Sequence, residues 1–202
     1  MKIAILVEGA TEMAFRKKLL EFLQSRLEQN MPRLDFKPQH GGIPKKEKLK
    51  KIVENLLDNN GYHAVIALTD VYTGKPDFKD ANDAKEKMMT WVDNNPNFYP
   101  HTALHDFEAW LLPYWQTIQK LAKHNRSAPS GSPETVNHQK PSSYWIKEIF
   151  KIGQCRRDYN KVLHGVAILK DNDLMIAIKA CPELKAFVNR IISLCDEEKI
   201  IS

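Results

Sequence analysis

The sequence predicts an α/β fold: a mostly parallel sheet flanked by helices, followed by an α-helical extension. Two observations predict the sheet. Residues Ile3 to Val7 and Ala64 to Leu68 are unbroken apolar runs of strand length, as expected of strands buried on both faces. Amphipathic helical patterns separate such runs, and strands alternating with helices imply right-handed crossovers and parallel pairing. A third observation predicts the extension: beyond residue 125 a Pro- and Ser-rich loop gives way to helical periodicity.

The elements follow in order. After the first strand, Gly9 permits a tight turn and Thr11 is a plausible helix cap. Phe15, Leu19, Phe22, Leu23 and Leu27 then recur at helical spacing up to about Gln29. Leu34 and Phe36 alternate with polar neighbours, as in a short strand. Leu49, Ile52, Val53, Leu56 and Leu57 mark a helix that Asn59, Asn60 and Gly61 end. A charged helix is expected from about Ala81 to Asp93, a strand from Phe98 to Leu104, and a long apolar helix from near Phe107. Asn125 to Ser143 has the composition of a mobile loop. Helices are expected at Tyr144 to Lys151, Asp171 to Ala180 and Glu183 to Asp196, with Pro182 in the first turn of the last. The expected division is an α/β domain over 1–124 and a loop plus helical extension packed on it over 125–202.

The 202 residues suit one domain with such an extension. Hydrophobic residues at 43% and charged residues at 27% exclude a disordered chain. No apolar run approaches the roughly 20 residues that cross a bilayer. The apolar start is short and interrupted by Glu8, so a secretory leader is not expected. Three cysteines without a Cys-x-x-Cys pair fit a reducing cytoplasm. A net charge of +5 permits an anionic partner without demanding one.

Acids close three strands. The first runs into Glu8, the second through Thr69 into Asp70, the third through His105 into Asp106, with Glu108 beyond. In a parallel sheet all carboxyl ends share one edge, where ligands bind. Carboxylates gathered there repel one another and raise each other's pKa. A hard divalent cation, Mg²⁺ or Mn²⁺, removes that penalty, orients phosphates and activates water. Each acid taken alone reads as structural before catalytic, a helix cap or a solvated loop residue.

The segment Leu6-Val7-Glu8-Gly9-Ala10-Thr11-Glu12 resembles the first motif of the TOPRIM fold, a Rossmann-like fold of topoisomerases, bacterial primases and overcoming-lysogenization-defect (OLD) nucleases. Where that fold has a second aspartate, in Asp-x-Asp, this chain has Tyr72. The set Leu68-Thr69-Asp70-Val71-Tyr72 and His105-Asp106-Phe107-Glu108-Ala109, with Ala128-Pro129-Ser130, Tyr159-Asn160-Lys161-Val162 and Ala180-Cys181-Pro182, resembles an uncharacterised TOPRIM-like family of bacterial phage-defence islands. In this chain Asp106 replaces that family's usual Glu, and the Ala-Pro-Ser loop continues without basic residues. The resemblance covers almost the whole chain. It implies a cytoplasmic, metal-dependent nuclease subunit paired with an ABC- or SMC-like ATPase. The implied metal ligands are Glu8, Asp70, Asp106 and Glu108. The implied catalytic set is Glu8, Asp70, Glu108 and Lys161, whose ammonium would neutralise a phosphate.

Nucleic acid would meet Thr11, Tyr72, His105, Lys140, Arg156 and Arg157. The helix start near Thr11 favours anions. Lys120, Lys123, Arg126, Lys140, Lys147, Lys151, Arg156, Arg157 and Lys161 outnumber Glu134, Glu148 and Asp158 in the later stretch, as on a phosphate-facing surface. Lysines around Gly41-Gly42, and Asp77, Asp80 and Asp83, read as solvated faces. Trp110, Tyr114 and Trp115 read as core. His101 and His105 lack the further ligands of a zinc site. Two alternatives stay open: a non-catalytic subunit that binds an ABC-type ATPase, and a nucleotidyl-transferring enzyme.

Overall fold

The computed structural model describes residues 1–71, 77–135, 140–153 and 158–202, and only the backbone of Ala10 and Thr11. Four strands, β1 (Lys2–Val7), β2 (Arg33–Pro38), β3 (Ala64–Val71) and β4 (Phe98–Leu104), form a fully parallel sheet in the order β2-β1-β3-β4. Tyr72, Arg156 and Arg157 lie outside the described residues.

The alternation of side chains along each strand sorts the helices into two layers. Ile3, Ile5, Val7, Ile66 and Leu68 face one way, onto Phe15, Leu19 and Leu23 of helix α1 (Ala10–Leu27). Ala4, Leu6, Val65 and Ala67 face the other, onto helices α2 (Glu47–Glu54) and α3 (Ala81–Trp91). Both faces of β1 and β3 are covered, which is why these strands carry no polar alternation.

The later helices are α4 (Trp115–Ala122), α5 (Ser142–Ile152), α6 (Lys161–Lys170), α7 (Leu174–Ala180) and α8 (Pro182–Ser193). Their apolar residues, among them Ile146, Ile168, Ile178 and Phe187, join the same core as α1. Trp110 lies at its centre, its ring 5.5 Å from Phe107 and 5.8 Å from Phe15. The readings of Trp110, Tyr114 and Trp115 as core hold.

Four sequence expectations are corrected. The apolar helix expected from Phe107 starts as a 3₁₀ segment, Phe107–Tyr114, and turns α-helical only at Trp115. Pro113 lacks the N–H that an α-helical bond would use at that point. Gly9, not Thr11, is the N-cap of α1, and Thr11 lies inside the first turn. The helix expected from Asp171 begins at Leu174, because Asp171 closes α6 and the Asp173 side chain caps α7.

The fourth concerns Glu134, grouped above with the surface acids. It is buried and ties its loop to the core. Its Oε1 accepts from Trp110 Nε1 at 3.0 Å, and its Oε2 from the Glu183 N–H at 3.0 Å. A carboxylate at the first turn of α8 satisfies N–H groups that Pro182 and Cys181 leave without a side-chain cap.

Candidate active site at the carboxyl edge of the sheet

The strand order places the crevice. From β1 the chain crosses to β2 on one side, and from β2 it returns to β3 on the other side of β1. Helices α1 and α2 diverge onto opposite faces there, and the gap opens at the carboxyl ends of β1 and β3. Glu8 is the first residue past β1. Asp70 is the penultimate residue of β3, which runs on to Val71, beyond the apolar stretch that announced it.

The end of β3 holds Glu8 in place. Its Oε1 accepts from the Thr69 hydroxyl and from the Asp70 N–H at 2.9 Å. Its Oε2 faces Gly42, where a Cβ would lie 4.0 Å away. Gly42 has φ +112°, a conformation that L side chains rarely adopt. Glu8, Thr69, Asp70, Gly41, Gly42 and Asp77 line a cavity of about 130 Å³.

A second acidic pair follows β4. His105 takes a left-handed conformation at φ 70°, and its N–H bonds the Val71 carbonyl at 2.9 Å. That turn aims Asp106 inward. Asp106 Oδ2 accepts the Ser143 N–H at 3.1 Å. The cap residue of α5, Pro141, has no side-chain acceptor, so Asp106 serves as the anion at that helix start. Asp106 Oδ1 is buried with no hydrogen-bond partner among the described residues. Glu108 is fully buried, and Lys161, the first residue of α6, sets its ammonium 3.0 Å from Oε1 and 3.1 Å from Oε2.

The electrostatics bind these acids into one group. Burial pushes Asp70 well above the usual carboxylate range, and the charges of Glu8, Glu12, Asp106 and Glu108 push it further. Burial raises Glu108 to about 7, with Asp106 adding to the rise and Lys161 opposing it. Burial and Glu8 raise Glu12. Burial raises Asp106 against the pull of its Ser143 bonds. Burial alone would lower Lys161, but Glu108, Asp106 and Asp70 outweigh it and hold the ammonium above its ordinary value.

The structure thus brings Glu8, Asp70, Asp106, Glu108 and Lys161 to one edge. His105 is buried in the wall, not displayed on the surface. Lys140 is exposed just before α5, 4.0 Å over the Tyr144 ring. Sequence reading passed over three participants. Glu12, buried in the first turn of α1, accepts the Gly9 N–H at 3.1 Å. Its signal was the Glu three residues after the cap, one half of a capping box. Thr69 bonds Glu8. Ser143 bonds Asp106 across 37 residues of chain, and nothing local announces that.

Every acid here offers hard oxygen donors, the chemistry of Mg²⁺ or Mn²⁺. Among the described residues, no three His, Cys, Asp or Glu side chains form a ready-made metal cage. Glu8 and Asp70 fit a cation held by two carboxylates and completed by water and substrate, the usual habit of Mg²⁺.

Comparison with known proteins fits this architecture. A family described as "Domain of unknown function (DUF4276)" matches residues 7–192, and the chain belongs to that family. No curated protein matches the sequence. Among solved structures, the C-terminal region of the OLD protein of Burkholderia pseudomallei shares the fold. It aligns at 12% identity with a TM-score of 0.50, over 98% of this chain and 98% of that one. The C-terminal region of the OLD protein of Xanthomonas campestris pv. campestris aligns at 15% identity with a TM-score of 0.47, over 97% and 96%.

Proposed function

We propose that this member of the DUF4276 family is a metal-dependent nuclease with a TOPRIM-like core, the effector subunit of a bacterial anti-phage system with an ATPase partner. One observation carries the reading: Glu8 and Asp70 meet at the topological switch point, with Glu12, Asp106 and Glu108 in electrostatic reach. Such a concentration of buried negative charge is costly unless a cation compensates it. The fold shared with the Burkholderia OLD region agrees with the sequence resemblance.

In this reading Glu8 and Asp70 hold Mg²⁺ or Mn²⁺. When bound, the cation supplies Lewis acidity toward a phosphoryl oxygen and a more acidic water. Thr69 and the Asp70 N–H fix Glu8, leaving Oε2 toward the cavity. Asp106 anchors α5, and Glu108 holds Lys161 at the start of α6, where its ammonium meets phosphate charge. Lys140 supplies a further cation for a DNA or RNA backbone.

The test is cleavage of DNA and of RNA with Mg²⁺ or Mn²⁺, with and without an ABC- or SMC-like ATPase added. Glu8→Ala and Asp70→Asn should each abolish cleavage. Activity surviving both substitutions refutes the assignment.

One observation favours a second reading, a non-catalytic subunit that docks the ATPase. Val162, Leu163 and Val166 expose an apolar strip on α6, with Leu163 59% exposed. Under that reading Mn²⁺ leaves the melting temperature unchanged.

A further inference from the structure

The outer edge of the sheet carries a second group of polar side chains, remote from the acids. Strand β4 is an edge strand, with α3 packed toward one face and α8 toward the other. Beside its first residues lies a groove of about 410 Å³, lined by Lys85, Met89, Tyr99, Pro100, His101 and Arg190. Two features of this groove, at His101 and at Arg190, call for a ligand.

His101 is only 7% exposed, and its Nδ1 has no hydrogen-bond partner among the described residues. Its ring packs edge-on to Phe187 at 5.7 Å. A buried ring nitrogen left unbonded is costly. Arg190 extends over the Tyr99 ring, 4.7 Å from its centroid, and forms no ion pair among the described residues. Lys85 lies across the groove, bound to Glu183 at 2.6 Å. That same Glu183 oxygen accepts the Thr102 hydroxyl at 3.1 Å, so the nearby carboxylate is engaged away from Arg190. Arg190 is thus left as the cation without a carboxylate partner among the described residues of the groove, and burial first, then the charges of Lys85 and Arg190, keep His101 neutral, with its pKa down at about 3.

The shape narrows the occupant. An extended peptide adding to β4 would need a ladder of backbone donors, and Pro100 interrupts it. What remains is a compact ligand with an oxyanion for the guanidinium and an apolar body for Met89, Tyr99 and Pro100. Arg suits phosphate and carboxylate alike, because its planar fork bonds both in two-point fashion.

We propose that the β4-edge groove is a small-molecule site for a phosphate or carboxylate carried on an apolar or aromatic body. Arg190 binds the oxyanion, and His101 supplies a hydrogen bond from beneath. The site is independent of Glu8 and Asp70, so it stands or falls separately from the nuclease reading.

The test is a titration of the whole protein with adenosine monophosphate, inorganic phosphate and benzoate. Binding is read by calorimetry and by the imidazole nitrogen shifts of His101 in NMR. Millimolar or tighter binding of either organic anion, with movement of the His101 signals, is the expected result. The nucleotide alone binding points to phosphate recognition, and benzoate alone to carboxylate recognition. Arg190→Gln, an exposed change checked for folding by circular dichroism, should weaken binding about tenfold or more. His101→Leu should weaken it less. No shift of His101 with any of the three anions overturns the proposal, as does undiminished binding by Arg190→Gln.

Discussion

The backbone N–H of Asp70 donates to Glu8 Oε1 at 2.9 Å, so the end of β3 grips the acid that closes β1. Glu8 directly follows β1 and Asp70 lies in β3, adjacent parallel strands whose register pairs Val7 with Leu68. The bond brings two acidic groups together at the end of the sheet. In the metal-free protein, loss of solvation and then the charge of Glu8 both disfavour the ionised form of Asp70. Asp70→Asn should therefore raise the melting temperature of the metal-free protein. A lower melting temperature would mean that Asp70 is held by contacts worth more than the repulsion it suffers.

Glu134→Ala should destabilise the fold by about 2–4 kcal/mol, because it strips Trp110 Nε1 and the Glu183 N–H of a buried acceptor. Urea unfolding followed by tryptophan fluorescence measures this. A change within about 0.5 kcal/mol, the range of ordinary surface substitutions, would place Glu134 back among the solvated acids.

Gly153→Ala tests the packing of α5 on α4. A Cβ at Gly153 would collide with the Ala122 carbonyl, which is backbone and cannot swing aside. The expected cost is about 1–3 kcal/mol, read as a lower urea midpoint with an unchanged slope.

His101 predicts a pH dependence with a defined sign. Its folded pKa of about 3 lies below the ordinary 6.5, so the unfolded chain binds the proton first. The stability tied to neutral His101 is fully present above pH 6.5 and is lost as pH falls toward 3. The slope is about 1.4 kcal/mol per pH unit within that window. Glu108 acts with opposite sign, since its pKa is raised to about 7 and its contribution is lost as pH rises from about 4.5 to 7. The two overlap, so the difference between wild type and His101→Leu isolates the histidine. Wild type should lose stability relative to the variant below pH 6.5. Parallel curves would contradict the burial of a neutral ring.

The sheet was legible in the sequence for a physical reason. Strands covered on both faces cannot hide polar residues, so Ile3 to Val7 and Ala64 to Leu68 announce themselves. The acids were legible because each lies at or within a few residues of the carboxyl end of a strand. What periodicity does not encode is which strands are neighbours, and the meeting of Glu8 with Asp70 depends on the order β2-β1-β3-β4. Long-range hydrogen bonds were equally silent. Asp106 capping α5 and Glu134 capping α8 both join residues far apart in the chain, and a lone acid in a Pro- and Ser-rich stretch looks the same buried or exposed. The 3₁₀ start at Phe107 was masked by apolar residues on every side of the turn, where no amphipathic pattern exposes the tighter pitch.

The most direct test of the central claim is a Mn²⁺ titration followed by calorimetry, on wild type, Glu8→Gln and Asp70→Asn. The account predicts saturable binding to wild type and a loss of at least about tenfold in affinity on removing either carboxylate charge. Equal Mn²⁺ binding by all three proteins, or none by wild type with nucleic acid present, would contradict it.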